Sequence, residues 1–288
     1  VYALEPGEYV LHEEQAPTEQ GYVRAEDVKF VVEETVDVQK VKMEDDHTKV
    51  SISKTDITDG KEIEGAKLQI LDQDGEVVES WTTGEEHLIE YLPVGTYTLH
   101  EEAAVDGYIV ANDVEFTVEE TGEIQKVKME DERAMGQLVI VKTDTDSKAA
   151  LEGVEFVLLE KETGEEVGRL KTGKDGKAVS ELLPIGTYEN GVFKEPITYV
   201  LKETATLKGY EKTEEEWEIV FTYQNDKTPV IEVVKEIQNK KIPETPGTVK
   251  PGPKTGDDTN WFLPLLALGV SAGMVAGLLY YRKRHKKA

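Results

Sequence analysis

Ionisable side chains at the ends of apolar stripes are the residues of this chain that are best placed to do chemistry. Successive side chains of a β-strand point to opposite faces, so residues two apart share a face. Three short segments each place two apolar residues and then one ionisable residue on a single face. These faces are Val50, Ile52 and Lys54; Tyr97, Leu99 and Glu101; and Val127, Met129 and Asp131. If the faces line one core, a lysine, a glutamate and an aspartate meet in an apolar interior.

Such a cluster permits one specific reaction. Burial disfavours the charged forms, so it lowers the pKa of a lysine and raises that of a carboxylic acid. A neutral amine is a nucleophile, and a protonated glutamic acid can polarise a carbonyl group and shuttle protons. Attack on an Asp or Asn side chain would release water or ammonia and leave an amide between the first and last strands. The residue types alone leave open a second interpretation, a buried salt-bridge triad without a covalent bond.

The arrangement is repeated along the chain, which is the mark of tandem domains. A later copy ends its stripes in Lys142, Glu203 and Asn239, and an earlier copy has Glu13 and Asp45. The lysine strand of the earlier copy would lie upstream of Val1. The stripes are Leu138, Ile140 and Lys142; Tyr199, Leu201 and Glu203; Val233, Lys235, Ile237 and Asn239; Tyr9, Leu11 and Glu13; and Val41, Met43 and Asp45.

Short alternating runs separated by Gly, Asp and Pro turns indicate an all-β chain. The repeats predict the C-terminal part of a truncated domain over residues 1–46, a complete domain over 47–132 and a longer domain over 133–242. The longer one contains an additional segment, YENGVFKEPIT, immediately before its Tyr199 strand. Domains of this size with this strand spacing are typical of immunoglobulin-like β-sandwiches, arranged here in tandem.

Composition excludes several classes of function. The chain has 33 Lys and Arg against 59 Asp and Glu, a formal net charge of −26, so nucleic acid is not an expected partner. It has no cysteine, so disulfides cannot staple its domains. It contains neither a Gly-rich phosphate loop nor a complete calcium loop, and we expect no cofactor and no metal.

The C-terminal residues fall into three parts. A Pro/Gly-rich linker at 243–260 leads into an apolar stretch at 261–281 and a basic tail at 282–288. The apolar stretch would span about 30 Å as a helix, the thickness of a bilayer core. It predicts one C-terminal transmembrane helix, and the basic tail predicts a cytoplasmic end. A permanent single-pass anchor is one interpretation of this pattern.

The order linker, apolar stretch and basic tail also resembles the wall-sorting signal of Gram-positive surface proteins. The matching motif residues are Pro253, Lys254, Thr255 and Gly256, and Gly252 stands where such signals usually have Leu. The resemblance implies that a sortase cuts after Thr255 and joins it to peptidoglycan. The membrane anchor would then be transient, and the protein would be secreted and covalently attached to the cell wall. Secretion implies a signal peptide, so we expect an N-terminal portion that is missing here.

The repeated segments SKTD, YTLHEEAAVDGY and VKMED resemble those of CnaB-type, or SpaA-like, domains of adhesins and pilins. The resemblance covers nearly all of residues 1–242 and implies prealbumin-like β-sandwiches. It also implies one isopeptide bond between Lys54 and Asp131, assisted by Glu101. A second bond is implied between Lys142 and Asn239, assisted by Glu203. In the truncated domain the same motifs make Glu13 and Asp45 the partners of a lysine outside the sequence.

These features predict the stalk of a wall-anchored surface protein. The stalk would display an N-terminal adhesive region that binds a host or matrix protein. Each isopeptide bond forms once, so the chain is not expected to be a turnover enzyme. One alternative is a sortase-assembled pilus subunit, although no typical acceptor lysine context is present. Another is the stalk of a wall-anchored enzyme whose catalytic domain is missing.

Overall fold

The computed structural model describes residues 4–243, which consist of strands and turns with one short 3-10 helix, Thr18–Gln20. The predicted all-β architecture is confirmed for this part of the chain. Among these residues no helix has the length and apolar character needed to cross a membrane. The predicted sorting motif, membrane helix and tail, and the predicted linker apart from its first residue, Pro243, lie in 244–288, outside the described residues.

The first region forms two separate strand pairs. Its strands are β1 (Gly7–Leu11), β2 (Tyr22–Val23), β3 (Val28–Val32) and β4 (Asp46–His47). Strand β1 pairs antiparallel with β3, and β2 pairs antiparallel with β4. The described part of the first region therefore forms two short strand pairs and not a two-sheet sandwich.

The stripe of Val41, Met43 and Asp45 does not form the strand that the sequence predicted. Residues 38–45 have no regular structure, although the nearly identical segment around Met129 is a strand. That later strand pairs with the first strand of its own domain, and no such partner precedes residues 38–45 in the described chain. Because a strand needs a neighbour for its backbone hydrogen bonds, the same sequence is extended in one place and irregular in the other.

The second domain contains eight strands. They are β5 (Lys49–Asp56), β6 (Lys67–Leu71), β7 (Val77–Thr82), β8 (His87–Glu90), β9 (Gly95–Ala103), β10 (Tyr108–Ile109), β11 (Val114–Val118) and β12 (Ile124–Arg133). One sheet has the order β10-β12-β5-β8 and the other β11-β9-β6-β7. The first and last strands, β5 and β12, are parallel neighbours, with Lys54 opposite Met129.

The core of the second domain consists of the alternate side chains that the strand period places inward. The fully or nearly fully buried apolar residues include Val50, Ile52, Leu68, Ile70, Leu99, Val118 and Met129. Burial of each such side chain contributes about 1.5–3 kcal/mol. The three stripes predicted from the sequence therefore line one core.

The third domain contains ten strands. They are β13 (Met135–Asp144), β14 (Glu155–Glu160), β15 (Glu166–Lys171), β16 (Lys177–Val179), β17 (Leu183–Pro184), β18 (Gly186–Glu189), β19 (Val192–Pro196), β20 (Thr198–Ala205), β21 (Glu216–Val220) and β22 (Val230–Asn239). The first and last strands, β13 and β22, are again parallel, with Lys142 opposite Ile237.

The third domain repeats the two-layer arrangement of the second. Strand β13 pairs with β16, β17 and β22, and the other sheet has the order β15-β14-β20-β21. Its core includes Leu138, Ile140, Phe156, Leu201 and Ile219. The additional segment noted in the sequence forms a separate hairpin, β18–β19.

Candidate cross-linking sites

The second domain brings its predicted lysine, glutamate and aspartate together between the two sheets. Lys54 and Asp131 come from the parallel strands β5 and β12, and Glu101 comes from β9 in the facing sheet. All three residues are at most 2% exposed. The Lys54 Nζ lies 3.0 Å from Glu101 Oε2 and is hydrogen-bonded to Asp131 Oδ1. The amine is therefore in contact with both carboxyl groups in a dry interior.

Burial changes the proton affinity of this site. It raises the pKa of Asp131 to about 7, with Lys54 opposing the rise and Glu101 adding to it. An aspartic acid that holds its proton near neutral pH is an electrophile that can lose water, whereas an aspartate is a poor one. The environment therefore favours the neutral acid that amide formation requires.

Two oxygen atoms of the second-domain site have no hydrogen-bond partner among the described residues. They are Glu101 Oε1 and Asp131 Oδ2. Buried polar atoms without partners are costly, by about 1–3 kcal/mol each. A single proton shared by the two carboxyl groups would satisfy both atoms, which is a further reason for a raised proton affinity.

The third domain has the same geometry with asparagine in place of aspartate. Lys142 and Asn239 come from β13 and β22, and Glu203 comes from β20 in the facing sheet. The Lys142 Nζ lies 2.5 Å from Asn239 Oδ1 and 3.0 Å from Glu203 Oε2. Burial lowers the pKa of Lys142, against the opposing effect of Glu203. The neutral amine, the nucleophilic form, is thereby favoured.

The Asn239 amide is held in one orientation by two hydrogen bonds. Its Nδ2 donates to Glu203 Oε1 at 2.7 Å and to Thr206 Oγ1 at 2.7 Å. Its Oδ1 consequently faces the Lys142 Nζ, and its nitrogen faces the carboxyl group that could protonate it as it leaves. Sequence reasoning missed Thr206, because it lies one residue beyond the end of β20 and outside the alternating stripe.

Both sites share one strand register, and this register decides which atoms meet. In each parallel pair, the Asp or Asn that the lysine would attack, here called the acceptor, lies two residues beyond the residue opposite the lysine. Asp131 lies two beyond Met129, and Asn239 two beyond Ile237. Residues two apart share a face, so the acceptor side chain enters the same core as the lysine. Nucleophile, acceptor and acid are consequently pre-positioned, and chemistry needs no large rearrangement.

The first region does not assemble the corresponding set. Glu13 is partly buried and accepts a hydrogen bond from the Ala25 backbone N–H at 2.7 Å, as Glu101 does from Ala111 at 2.6 Å. Asp45 is exposed, and no hydrogen bond or ion pair joins it to Glu13 within residues 4–243. The glutamate environment is thus repeated, whereas the acceptor is not in place.

The predicted sorting motif, Pro253, Lys254, Thr255 and Gly256, lies outside the described residues. Its role as a sortase substrate stays a prediction from the sequence.

Comparisons with known proteins agree with the all-β tandem-domain fold. A family model described as a prealbumin-like fold domain, SpaA, matches residues 48–133 and 136–237. The structure of the Bacillus anthracis TIE protein is 30% identical with a TM-score of 0.52, and the match covers 83% of this chain and 43% of that chain. The present chain therefore spans less than half the length of that relative.

Two pilin structures share less sequence. GBS52, the minor pilin of Streptococcus agalactiae, is 20% identical with a TM-score of 0.30, over 71% of this chain and 100% of that chain. The shaft pilin SpaA of Lactobacillus rhamnosus GG is 16% identical with a TM-score of 0.29, over 69% and 99%. No curated protein sequence matches the chain. Because the family model covers two tandem stretches amounting to more than half of the chain, the protein belongs to the SpaA family of prealbumin-like fold domains.

Proposed function

We propose that this chain is the stalk of a Gram-positive surface protein, and that each complete domain locks itself with one isopeptide bond. The bonds join Lys54 to Asp131 and Lys142 to Asn239. The observation that carries the proposal is the pair of buried triads, each of which links the first strand of a domain to its last. The family of the chain and its sorting-like C-terminal sequence support a role outside the cell.

The reaction is a condensation without a co-reactant. In the second domain the neutral Lys54 amine attacks the Asp131 carboxyl carbon, a C–N bond forms, and a C–O bond breaks to release water. In the third domain Lys142 attacks the Asn239 amide carbon and ammonia leaves. Glu101 and Glu203 relay the proton from the attacking amine to the leaving group. Each bond forms once and needs no turnover.

The position of the bonds determines how the stalk carries tension. Because β5 and β12 are parallel, the chain enters the second domain at one end and leaves at the other. A covalent path would run through β5 to Lys54, across to Asp131, then through β13 to Lys142 and across to Asn239. Residues 55–130 and 143–238 would bear no axial load, so pulling would not unzip the sandwiches.

At its C-terminal end we propose that a sortase joins Thr255 to peptidoglycan, and that an N-terminal region beyond this sequence binds a host or matrix protein. A single band in wall extracts would support a monomeric stalk. An SDS-resistant ladder would instead make the chain a polymerised pilus subunit.

Intact mass spectrometry of the purified chain tests the cross-links. Two bonds predict a mass about 35 Da below that of the sequence, the sum of one water and one ammonia. Glu101→Ala should restore the water, because it removes the proton relay of the second domain. Glu102→Ala is the matched control: it is the adjacent glutamate, it is exposed, and it should leave both bonds intact.

An unshifted mass for the parent chain would mean that the two lysines are only ion-paired, and the proposed covalent stalk would be wrong. If the mass deficit persisted in Glu101→Ala, the bond would form without the glutamate, and only the proposed role of Glu101 would be wrong.

A further inference from the structure

Of the two complete domains in residues 4–243, the third has the hairpin β18–β19 and the second has no counterpart to it. In the second domain the turn LPVG leads directly into strand β9, whereas in the third domain LPIG leads into the hairpin before strand β20. Within its own domain the hairpin buries Gly186 and packs the half-buried Phe193 ring against the core, while its other strand residues are half-buried or exposed. Several hairpin residues also contact the preceding domain.

Tyr188 in this hairpin contacts the second domain. Its hydroxyl donates to the Gly107 carbonyl at 2.8 Å, and its ring packs edge-on against Tyr108 with centroids 5.2 Å apart. The Arg133 guanidinium carbon lies 4.2 Å above the Tyr188 ring centroid, a cation–π geometry. Burial raises the pKa of Tyr188. One side chain thus touches three residues of the neighbouring domain.

Arg133 is itself held in place by acidic groups of the second domain. Its Nε donates to Asp56 at 2.6 Å, and its terminal nitrogen donates to Asp59 at 3.1 Å. The fully buried Tyr108 donates to the same Asp56 carboxyl group at 2.8 Å. The surface that Tyr188 meets is therefore already ordered by charge-assisted hydrogen bonds, which lowers the entropy lost on docking.

The hairpin tip approaches the second domain too closely for any side chain. Asn190 and Gly191 have φ of 51° and 67°, which suits an Asn-Gly hairpin turn. A Cβ on Gly191 would lie 2.2 Å from the Glu62 carbonyl oxygen. On the opposite side of the contact, a Cβ on Gly107 would lie 2.8 Å from the Phe193 ring. Each domain thus presents a glycine at a point where the other approaches too closely for a Cβ.

A second segment of the third domain also contacts the second. The Tyr223 hydroxyl donates to the Tyr108 carbonyl at 2.9 Å, and the Val110 N–H donates to the Asp226 carbonyl at 3.0 Å. The polypeptide link itself is short, because only Ala134 separates β12 from β13. The joint therefore has three attachments: the link, the Tyr223 segment and the hairpin.

We propose that the hairpin is an interdomain clamp that fixes the third domain on the second and resists bending of the joint. A single-chain link transmits tension but resists bending poorly, whereas contacts that lie to the side of that link act as a brace. The hairpin itself lies within residues 143–238, outside the axial path of the proposed cross-links, so it adds nothing to tensile strength. Its partner surface is Tyr108, Gly107, Glu62 and Arg133 of the preceding domain.

The preceding joint uses a related stack. The His47 ring lies at the end of β4 and stacks on Tyr91 of the second domain, with centroids 4.1 Å apart. A Cβ on Gly21 would lie 2.2 Å from the Tyr91 backbone. In both joints a side chain from the last strand of one region, His47 of β4 or Arg133 of β12, is covered by a tyrosine of the next domain. The third domain therefore uses its inserted hairpin for a contact that the second makes with a loop.

Interdomain distances in the full chain test the clamp. The chain has no cysteine, so Glu115→Cys and Glu232→Cys, on exposed strand positions of the two domains, accept one spin label each without background. The parent should give a narrow distance distribution by double electron–electron resonance. Gly191→Ala and Tyr188→Ala should each broaden it, because the hairpin no longer seats.

Gly164→Ala is the matched control. Gly164 has φ of 71°, close to the 67° of Gly191, but a Cβ there meets no heavy atom within 4 Å. Both substitutions therefore impose the same left-handed strain, and only Gly191→Ala disturbs the joint. Circular dichroism of each variant establishes that both sandwiches remain folded.

A broad distribution in the parent, or unchanged widths in Gly191→Ala and Tyr188→Ala, would overturn the clamp. The intact mass of the same samples is an independent readout. A parent chain with a narrow distance distribution but no mass deficit would support the clamp and contradict the cross-links. A parent chain with the mass deficit but a broad distance distribution would support the cross-links and contradict the clamp.

Discussion

Replacing Glu203 by Gln should separate the chemical contribution of the buried acid from its packing. The change keeps the side-chain volume and an oxygen near Lys142, but it removes the group that relays protons. We expect the third-domain bond not to form and about 17 Da, the ammonia, to be retained relative to the cross-linked form. The fold should persist, because the core around the site is unchanged.

The stability loss can be worked out from the loop that the bond closes. Lys142 and Asn239 are 97 residues apart, so the cross-link removes unfolded-state entropy worth about 4–5 kcal/mol at 25 °C. For a domain of this size each kcal/mol shifts the melting temperature by about 4 °C, so Glu203→Gln should lower it by about 15–20 °C. Differential scanning calorimetry of the full chain would measure this as a shift of one transition.

The control for this variant is Glu218→Gln, the same chemical change on the exposed face of the neighbouring strand. Glu218 pairs with Lys161 at the surface at 2.5 Å, and an exposed pair contributes at most about 1 kcal/mol. The reasoning would be refuted if Glu203→Gln kept the bonded mass, since the acid would then be unnecessary. It would equally fail if the bond were lost and the melting temperature did not change.

Three further predictions concern Asp131, the Asn239 partner Thr206, and Asp56, which pairs with Arg133 at the end of the second domain. Asp131→Asn should replace the loss of about 18 Da by about 17 Da in the second domain. The parent should cross-link more slowly above pH 7, because it needs a protonated Asp131 whose pKa is raised to about 7, whereas the rate of Asp131→Asn should not fall in this way. Mass spectra taken during refolding at pH 6 and pH 8 would measure both rates, and the same pH dependence in parent and variant would contradict the reasoning. Thr206→Val should slow the third-domain bond alone, because one Asn239 N–H loses its acceptor at a cost of about 1–3 kcal/mol, and peptide-resolved mass spectrometry distinguishes the domains. Burial alone would raise the pKa of Asp56, but hydrogen bonds and the charge of Arg133 lower it. Its ionised form therefore stabilises the second domain above the unfolded pKa of about 4, and this contribution is lost as pH falls through the folded value. Asp56→Asn should lower the melting temperature at pH 7 and flatten its acid dependence, and parallel melting curves would contradict the role of the carboxylate.

The burial of the triads could be predicted because strand alternation is a local rule. Lys54 lies two residues after Ile52, and Glu101 two after Leu99, so each shares the face of a buried neighbour. Thr206 could not be found in this way. It lies beyond its strand, and its contact with Asn239 joins two segments 33 residues apart.

The segment around Asp45 shows the limit of the same rule. Its residue pattern is that of strand β12, yet it forms no strand and Asp45 is exposed. Alternation states which face a residue would occupy in a strand, but the strand itself exists only when a partner completes its hydrogen bonds. The alternating pattern therefore does not by itself produce a strand; a pairing partner is also required.

The amino-acid sequence by itself determined the all-β class, the repetition, and the residue types of each buried triad, since all three depend on patterns within a few residues. Only the tertiary structure decided that Lys54 and Asp131 approach within hydrogen-bonding distance, because this depends on the parallel register of strands distant in the chain. The structure also decided where the inserted hairpin docks. Its length and Asn-Gly turn are visible in the sequence, but the seating of Tyr188 on Arg133 is a contact between surfaces, and no local periodicity encodes it.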